Sequence, residues 1–362
     1  MNFLVNKNIL IISPEAWTHL SVSKHHYAKV LAENGNRVYF LNPPSNYARI
    51  EEDQICKDIF VVDYISLPGV NRLPSFFRNY LNRHKIKSIR NLCNVSFDIV
   101  WSFDAFRFQN LKLFNCQFAI YHAVDIHVSN LEGELAQSCD LILAVSQRIL
   151  DRFEPYNKPK KKINHGLASY FFEPQGEAPL AKNPFHIGYV GNLDNWCIDI
   201  GTLLTIVSVN PEVNFTFIGP YKDDSVLASS LKSKHNCTLL GRVSAEKLPE
   251  YFEQFHFFLM CYNGEEVDVN SNHHKILEYL TTGKPVVMNY TDEYKDKTTL
   301  VIMSKRNSEL PSLFAQVISN FEKYIAPGIV SERKAFAFSN SYQKHVAHID
   351  GMIVDLMRLN HG

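Results

Sequence analysis

Short apolar runs alternate with stretches of helical period along almost the whole chain. In the first half, these runs predict strands at 8–13, 37–42, 58–67, 98–103, 117–123 and 140–146. After residue 184 they predict strands at 185–191, 213–219, 237–241, 256–262, 284–289 and 299–304. Most runs are apolar without alternation, as parallel strands covered on both faces require. The rhythm predicts an α/β protein with open, doubly wound sheets.

The strand rhythm weakens at 167–184, a stretch with three prolines and little periodicity. We therefore predict a Rossmann-like domain over 1–168, a linker at 169–184 and a second Rossmann-like domain over 185–340. A last helical segment, 341–362, follows the final strand and can reach back to the first domain. Two such domains that face each other would form a cleft at the carboxyl ends of both sheets, where open α/β sheets bind ligands.

Composition narrows the function classes. The 362 residues carry 37 Lys and Arg against 37 Asp and Glu, which argues against a nucleic-acid binder. No uncharged apolar run is long enough for a membrane span, and the N-terminus reads as a strand and not as a signal peptide, so we expect a cytoplasmic protein. Seven scattered cysteines without a C-x-x-C motif favour reduced core residues and no metal site.

Several catalytic signatures are absent from the sequence. It has no P-loop, no G-x-G-x-x-G after the first strand and no G-x-S-x-G, which disfavours the enzyme classes built on them. No two aspartates stand two positions apart, so the D-x-D grip that holds a metal on a nucleotide diphosphate is missing. We therefore expect a metal-independent enzyme.

The densest chemistry lies in NSNHHKILEYLTTGKPVV, residues 270–287. A helix that begins near Ser271 or Asn272 would offer free amides to an anion, and Lys275 would add a charge. Glu278 stands four positions after His274 and three after Lys275, so these side chains share a helix face. There the carboxylate could accept from both hydroxyls of a ribose. An ordinary Lys–Glu surface pair is the alternative.

The segment NHHKILEYLTTGKPVV resembles the P-x-K-x-x-E-Y-L-A-x-G-K-P-V-V signature of GT-B glycosyltransferases related to family 4. HIGYVGNLDNW (186–196) and LLGRVSAEKLPEYF (239–252) are similar to further parts of that family's second domain. The resemblance implies two Rossmann-like domains facing a central cleft and a closing helix that crosses back. It also implies transfer from a nucleotide-diphosphate sugar, with no cofactor besides this donor.

The resemblance also implies roles for individual residues. Glu278 would hold the donor ribose. The diphosphate and nucleobase would be met by residues of three loops: Asn272, His273, His274 and Lys275; Gly191 and Asn192; Arg242 and Val243. The sequence departs from the family at Asn270, where the first carboxylate of an E-x7-E pair is expected, and Glu265, Glu266 or Asp268 could replace it. Asp194 and Asp199 stand where the family often has basic residues.

In the first half, the segment YHAVDIH (121–127) follows a predicted strand. His122 or Asp125 could deprotonate an acceptor hydroxyl, and Asp104 is a second carboxylate at another strand end. Structural loop residues are the alternative for all three.

The segment 73–90 predicts a basic amphipathic helix, typical of a membrane surface. Phe76, Phe77 and Tyr80 would insert into an anionic membrane, while basic side chains meet headgroups: Arg78, Arg83, Lys85, Lys87 and Arg90. A core-packed helix with a solvated basic face is the alternative. The basic run KPKKK (158–162) has no clear role.

The leading hypothesis is a glycosyltransferase that uses a UDP- or GDP-sugar and a saccharide or lipid-linked acceptor in cell-surface polysaccharide or glycoconjugate synthesis. It would work in the cytoplasm or on the inner face of the plasma membrane. A nucleotide-sugar 2-epimerase and a degenerate, non-catalytic GT-B partner subunit are the alternatives.

Overall fold

A computed structural model describes residues 3–127, 129–173, 183–263 and 272–361. The chain forms two compact units. Unit 1 comprises Met1–His165 together with Tyr342–Gly362, and unit 2 comprises Gly166–Ser341. Most of the predicted linker, from 174 to 182, lies outside the described residues.

Fourteen strands are found in the described residues. They are β1 Asn8–Ile12, β2 Arg37–Leu41, β3 Arg49–Glu52, β4 Ile59–Asp63, β5 Ile99–Ser102, β6 Phe118–Ala123, β7 Leu141–Ala144, β8 Lys160–Lys162, β9 His186–Val190, β10 Asn214–Ile218, β11 Cys237–Gly241, β12 Phe257–Met260, β13 Val286–Asn289 and β14 Ile302–Ser304. All twelve predicted runs contain a strand, and β3 and β8 were not predicted.

Twelve α-helices are found in the same residues. They are α1 Ser23–Glu33, α2 Ser75–Cys93, α3 Asn130–Ser138, α4 Gln147–Asp151, α5 Ile200–Val209, α6 Val226–Lys232, α7 Leu248–Phe252, α8 His274–Leu280, α9 Leu310–Ser319, α10 Phe321–Tyr324, α11 Pro327–Ser339 and α12 Tyr342–His361. Short 3₁₀ turns include Val70–Arg72, just before α2, and Ser169–Phe171.

The sheet of unit 1 has the order β3-β4-β2-β1-β5-β6-β7-β8. All pairs are parallel except β3 with β4. Because strand side chains alternate, Ile9 and Ile11 of β1 face the layer of α1 and α12, while Leu10 and Ile12 face the layer of α2 and α3. Both faces are buried, which explains the continuous apolar runs.

The sheet of unit 2 has the order β11-β10-β9-β12-β13-β14, and all its pairs are parallel. The chain runs outward from β9 to β11 and then returns to β12 on the other side of β9. The strand order therefore reverses between β9 and β12, which is where a doubly wound sheet binds its ligand. The predicted α/β class, with two doubly wound parallel sheets, is confirmed.

Candidate functional site

Helix α8 lies beside this reversal point, because it connects β12 to β13. It begins at His274, and His273 is its capping residue in extended conformation without a side-chain cap. The helix thus starts two residues after Asn272, one of the two expected starts. Ser271, the other expected start, and Asn270 lie outside the described residues. The ring of His273 packs on Tyr262, just after β12, with the centroids 4.6 Å apart.

Tyr279 ties α8 to the end of β9. Its hydroxyl accepts a hydrogen bond from the Val190 N–H at 2.8 Å and lies 3.3 Å from the Val190 carbonyl, to which it donates. Its ring stacks on Phe258 of β12 at 4.1 Å, with 8° between the planes. The residue after Val190 is Gly191, so this clamp holds α8 against the strand that leads into the glycine loop.

Gly191 and Gly219 let the ends of β9 and β10 approach each other closely. Gly219 has φ +146°, and a Cβ there would lie 1.9 Å from the Gly191 carbonyl oxygen. A Cβ on Gly191 would meet the Tyr189 hydroxyl at 2.9 Å. Glycine is therefore required at Gly219 by both conformation and space.

Glu278 and Lys275 form an ion pair on α8. Lys275 Nζ lies 2.8 Å from Glu278 Oε2, and His274 Nε2 lies 3.9 Å from Glu278 Oε1. The Glu278 side chain is only 13% exposed. Burial raises the pKa of Glu278, and the charge of Lys275 opposes this only in part. A buried carboxylate with spare acceptor capacity binds hydroxyl groups more strongly than an exposed one.

Tyr170 belongs to the same neighbourhood, although the sequence analysis did not single it out. It lies in the 3₁₀ turn Ser169–Phe171 of unit 2. Burial is the main cause that raises the pKa of Tyr170, and the negative charges of Glu278 and Glu246 raise it further. No sequence motif marks this tyrosine, because its relation to Glu278 arises only from the fold.

The two aspartates of the glycine loop have structural partners. Asp199 caps α5, accepting from the Thr202 N–H at 2.9 Å and from Asn307 Nδ2 at 2.6 Å. Asp194 accepts from the Lys222 N–H at 2.8 Å. Asn192 is exposed, and its side chain accepts from the Asp194 N–H at 3.0 Å. Asp194 and Asp199 therefore stabilise the conformation of this loop through their hydrogen bonds.

Arg242 follows β11 at the same carboxyl edge. Gly241 takes φ +69°, and its carbonyl accepts from the Gly219 N–H at 2.8 Å. Arg242 is exposed and forms no ion pair within the described residues, whereas Val243 packs partly against the core. The carboxyl edge of unit 2 therefore brings the Gly191 loop, Arg242 and α8 to one side of the sheet.

In unit 1, Asp104 is held by Arg107. Arg107 Nε donates to Asp104 Oδ2 at 2.5 Å, and the Phe106 N–H donates to Asp104 Oδ1 at 2.7 Å. Burial tends to lower the pKa of Arg107, but the contacts with Asp104 and Tyr64 together outweigh it and raise that pKa. A carboxylate locked in a buried ion pair is a poor proton acceptor. This corrects the expectation that Asp104 acts as a base.

His122 is buried in the core and does not reach the sheet edge. It is 1% exposed, and the rings of Phe103, Tyr27 and Trp101 surround it at 4.9, 5.4 and 6.1 Å. Burial lowers its pKa well below the usual value. Neither ring nitrogen has a hydrogen-bond partner within the described residues. This corrects the expectation that His122 meets an acceptor.

Asp125 remains the accessible acid after β6. It is exposed and makes no hydrogen bond or ion pair within the described part of the chain. His127, two residues on, packs edge-to-face on Phe106 at 4.9 Å. The loop after β6 therefore presents a free carboxylate and lies against the loop after β5.

Helix α2 packs on the core with its second half and exposes the aromatic residues of its first half. Its apolar stripe is exposed: Phe76 by 75%, Phe77 by 57% and Tyr80 by 58%. The buried stripe is instead formed by Arg78, Asn82, Ile86, Ile89 and Cys93. Arg78 is 4% exposed and pairs with Glu134. Arg78 is therefore unavailable to headgroups, which corrects that expectation.

The described ranges hold neither a metal-binding cluster nor a membrane-spanning helix. Among residues 3–127, 129–173, 183–263 and 272–361, no group of three His, Cys, Asp or Glu side chains could hold a metal ion. No helix in those ranges combines the length and apolar character needed to cross a bilayer.

Comparison with known proteins identifies the fold. Residues 184–320 match the family model of glycosyl transferases group 1. No curated protein sequence matches the chain. Sucrose-phosphate synthase from Thermosynechococcus elongatus is similar in structure, with a TM-score of 0.70 and 12% identity over 98% of this chain and 100% of that one.

Two further solved structures cover nearly the whole chain. HepE of Anabaena, in complex with UDP and glucose, has a TM-score of 0.66 and 15% identity over 97% of this chain and 99% of its own. The lipopolysaccharide outer core galactosyltransferase WaaB has a TM-score of 0.64 and 13% identity over 96% of this chain and 99% of its own. The predicted resemblance to GT-B glycosyltransferases is confirmed.

Proposed function

We propose that this GT-B glycosyltransferase moves a sugar from a UDP- or GDP-sugar to a saccharide or lipid-linked acceptor. The observation that carries the proposal is the buried Glu278, paired with Lys275 and fixed beside the end of β9 by the Tyr279–Val190 clamp. Similar folds have been solved with UDP and glucose, which supports a nucleotide-sugar donor.

In this proposal unit 2 binds the donor. Glu278 accepts from the ribose hydroxyls, and its low exposure strengthens those hydrogen bonds. The backbone of Gly191 receives the diphosphate, which can approach it closely because glycine has no Cβ. Lys275 shares its charge with Glu278, so Arg242, which has no acidic partner in the described chain, supplies the remaining positive charge for the departing diphosphate.

Unit 1 supplies the base in this proposal. Asp125 follows β6, is exposed and is not neutralised by a cation in the described residues. A carboxylate in that condition can accept the proton of an acceptor hydroxyl as the new glycosidic bond forms. Of the three base candidates, Asp125 is favoured over Asp104 and His122 because those two are held in the core.

The reaction is proposed to need neither a metal ion nor a cofactor. The sequence has no D-x-D pair, and donor charge is met by Arg242, Lys275 and backbone amides instead.

We further propose that α2 docks on an anionic membrane at the inner face of the plasma membrane. Phe76, Phe77 and Tyr80 form an exposed aromatic stripe that a bilayer interface would accept. The other half of the helix borders a groove of about 650 Å³ that contains Arg83, Lys87 and Arg90 and no acidic residue. None of these three cations forms an ion pair within the described residues, so their charge is free for phosphate headgroups.

Calorimetric titration with UDP and with GDP tests the donor proposal. We expect one of the two to bind the wild-type protein, and the corresponding sugar nucleotides then to release the nucleoside diphosphate in the presence of an acceptor extract. Release of free 2-epimerised sugar without an acceptor would instead identify an epimerase. Binding of neither nucleotide would identify a non-catalytic partner subunit.

A further inference from the structure

A pocket of about 320 Å³ lies under the inner face of α2, within unit 1. Its walls come from the segments after β2, β4 and β5 and from α2 itself. They include Tyr64, Phe106 and Phe108 as aromatic surfaces, and Ser66, Asn82 and Lys85 as polar groups. Because β2, β4 and β5 are parallel, these segments leave the sheet at one edge. That is the edge where such a sheet binds its ligand.

The pocket carries positive charge and no acidic residue in its wall. Arg107 reaches it, but this guanidinium is neutralised by Asp104 and also donates to the Asn42 carbonyl at 2.7 Å. Lys85 has no acidic partner in the described residues. Its ammonium lies 5.8 Å from the centre of the Tyr64 ring. Burial lowers the pKa of Lys85, as expected for a cation that lacks a neighbouring anion.

Asn82 gives an independent sign of a ligand. It is 7% exposed and lines the pocket, and its side-chain amide makes no hydrogen bond to any described residue. Its amide is open to the pocket, where it can bond to water or to a polar ligand. Asn82 and Lys85 stand three positions apart on α2 and are therefore neighbours on one helix face. The Ser66 hydroxyl, also without a described partner, lines the same pocket.

We propose that this pocket binds a phosphate ester carried by the acceptor. Three donor groups (the Lys85 ammonium, the Asn82 amide and the Ser66 hydroxyl) surround a space that has aromatic walls and no carboxylate. A phosphate offers several acceptor oxygens and the negative charge that Lys85 lacks. The aromatic walls suit the first atoms of an alkyl chain or the face of a sugar ring. The inference deepens and rests on the proposed function, because it names the acceptor class of the same enzyme.

The test is calorimetric titration of the full-length protein with two phosphate esters, n-hexyl phosphate and glucose 6-phosphate. We expect at least one to bind. Lys85→Gln and Asn82→Leu should each weaken that binding, Lys85→Gln by roughly 10- to 100-fold, while Lys85→Arg retains most of it. Lys57→Gln is the matched control, because Lys57 is an exposed lysine of unit 1 that lines neither this pocket nor the groove beside α2. Binding of hexyl phosphate alone would assign the site to a lipid-linked phosphate. Binding of the sugar phosphate alone would assign it to a phosphorylated saccharide.

Three results would overturn the inference: neither ester binds the wild-type protein, Lys85→Gln binds the ester as tightly as wild type, or Lys57→Gln loses as much affinity as Lys85→Gln. Titration of UDP and GDP on the same samples separates this inference from the proposed function. Loss of ester binding with normal nucleotide binding concerns only the pocket, whereas a wild type that binds an ester but no nucleotide contradicts the donor proposal alone.

Discussion

Tyr279 and Val190 form the hydrogen-bonded link between helix α8 and strand β9, with the tyrosine hydroxyl meeting both the N–H and the carbonyl of the same residue. Both residues are buried. Removal of the hydroxyl leaves a buried backbone amide without its partner.

Tyr279→Phe is therefore expected to lower the free energy of unfolding by about 1–3 kcal/mol. It should also weaken nucleotide binding, because α8 and the Gly191 loop lose their common anchor. Urea denaturation and calorimetry measure the two effects. Tyr39→Phe is the matched control, since the buried Tyr39 hydroxyl has no partner in the described structure. Equal losses in both variants would show that the clamp contributes nothing specific.

Glu278→Gln is expected to cripple donor binding while the fold remains intact. The amide loses the charge-assisted acceptance of ribose hydroxyls, at about 1.5–3 kcal/mol per bond. Nucleotide affinity by calorimetry and thermal unfolding by circular dichroism are the readouts. Glu250→Gln, at an exposed position of α7, is the control. Unchanged nucleotide affinity in Glu278→Gln would remove this residue from the donor site.

Helix α2 should bring the protein to phosphatidylglycerol vesicles at low salt and not to phosphatidylcholine vesicles. Each Lys or Arg near the surface contributes about 1 kcal/mol, screened over about 8 Å at physiological salt. The triple variant Arg83→Gln, Lys87→Gln, Arg90→Gln should stay in the supernatant on sedimentation, and so should Phe76→Ser, Phe77→Ser, Tyr80→Ser.

A triple variant in unit 2 removes the same charge elsewhere and serves as the control: Lys295→Gln, Lys305→Gln, Arg306→Gln, all exposed positions. It should sediment like wild type. If all variants pellet with wild type, or if wild type fails to pellet at low salt, the exposed side of α2 is only a solvated surface and binds no membrane.

Sugar transfer is expected to continue after EDTA treatment, because Arg242, Lys275 and backbone amides are proposed to meet the donor diphosphate. The assay compares initial rates before and after chelation and after added Mg²⁺ or Mn²⁺. Activity abolished by EDTA and restored by either ion would contradict metal independence.

Stability should fall as the pH drops below 6.5, because several histidines are buried in their neutral form. Burial lowers the pKa of His26 and of His345 to about 4, from an ordinary 6.5. Between these values the unfolded chain binds more protons than the native one, so the free energy of unfolding decreases by about 1.4 kcal/mol per pH unit for each histidine. This loss is complete once the pH passes below about 4.

Urea denaturation at pH 7, 6 and 5 measures this dependence. His345→Gln removes one titrating group and should flatten the slope by about 1.4 kcal/mol per pH unit. His84→Gln, at an exposed position of α2, should not change it. Parallel curves for wild type and His345→Gln would mean that His345 is not responsible.

The positions of most strands could be predicted from the sequence, because strands buried on both faces are continuously apolar. The two missed strands lack that property: β3 is the charged run Arg49–Glu52, and β8 is Lys160–Lys162, within the basic run whose role was open. β3 and β8 are the two edge strands of the unit 1 sheet. An edge strand has a neighbouring strand on one side only, and charged residues are common there.

Helix α2 shows a second limit. Periodicity identified the helix and its apolar stripe, but it cannot say which stripe faces the core. The structure buries a stripe in which Arg78 and Asn82 precede the core residues Ile86, Ile89 and Cys93. Arg78 pairs there with Glu134, which is distant in sequence. The role of Arg107 could not be predicted from the sequence either, because its partners come from three different segments: Asn42, Tyr64 and Asp104.

In the candidate site, Glu278 and Lys275 could be found because their spacing on one helix is local. Tyr170 and the Tyr279–Val190 clamp could not, since they depend on how distant segments pack. His122 was wrongly predicted as a site residue, because a polar residue near the end of an apolar strand is typical of a site. The structure encloses its ring among aromatic rings.

Helix α12 belongs to unit 1 although it follows all of unit 2 in the chain. Tyr342, Val346, Ile349 and Ile353 complete the same core as Ile9 and Trp101, and Asp350 accepts from the Leu4 N–H. During synthesis on the ribosome, the first 165 residues therefore emerge with part of one face of their sheet uncovered, because α1 is the only one of its two covering helices made by then. Unit 2 has all its strands and helices before unit 1 does. The part of the chain that is made first is thus the last to acquire its full core, and a nascent chain stalled before residue 342 would expose that apolar face to chaperones and proteases.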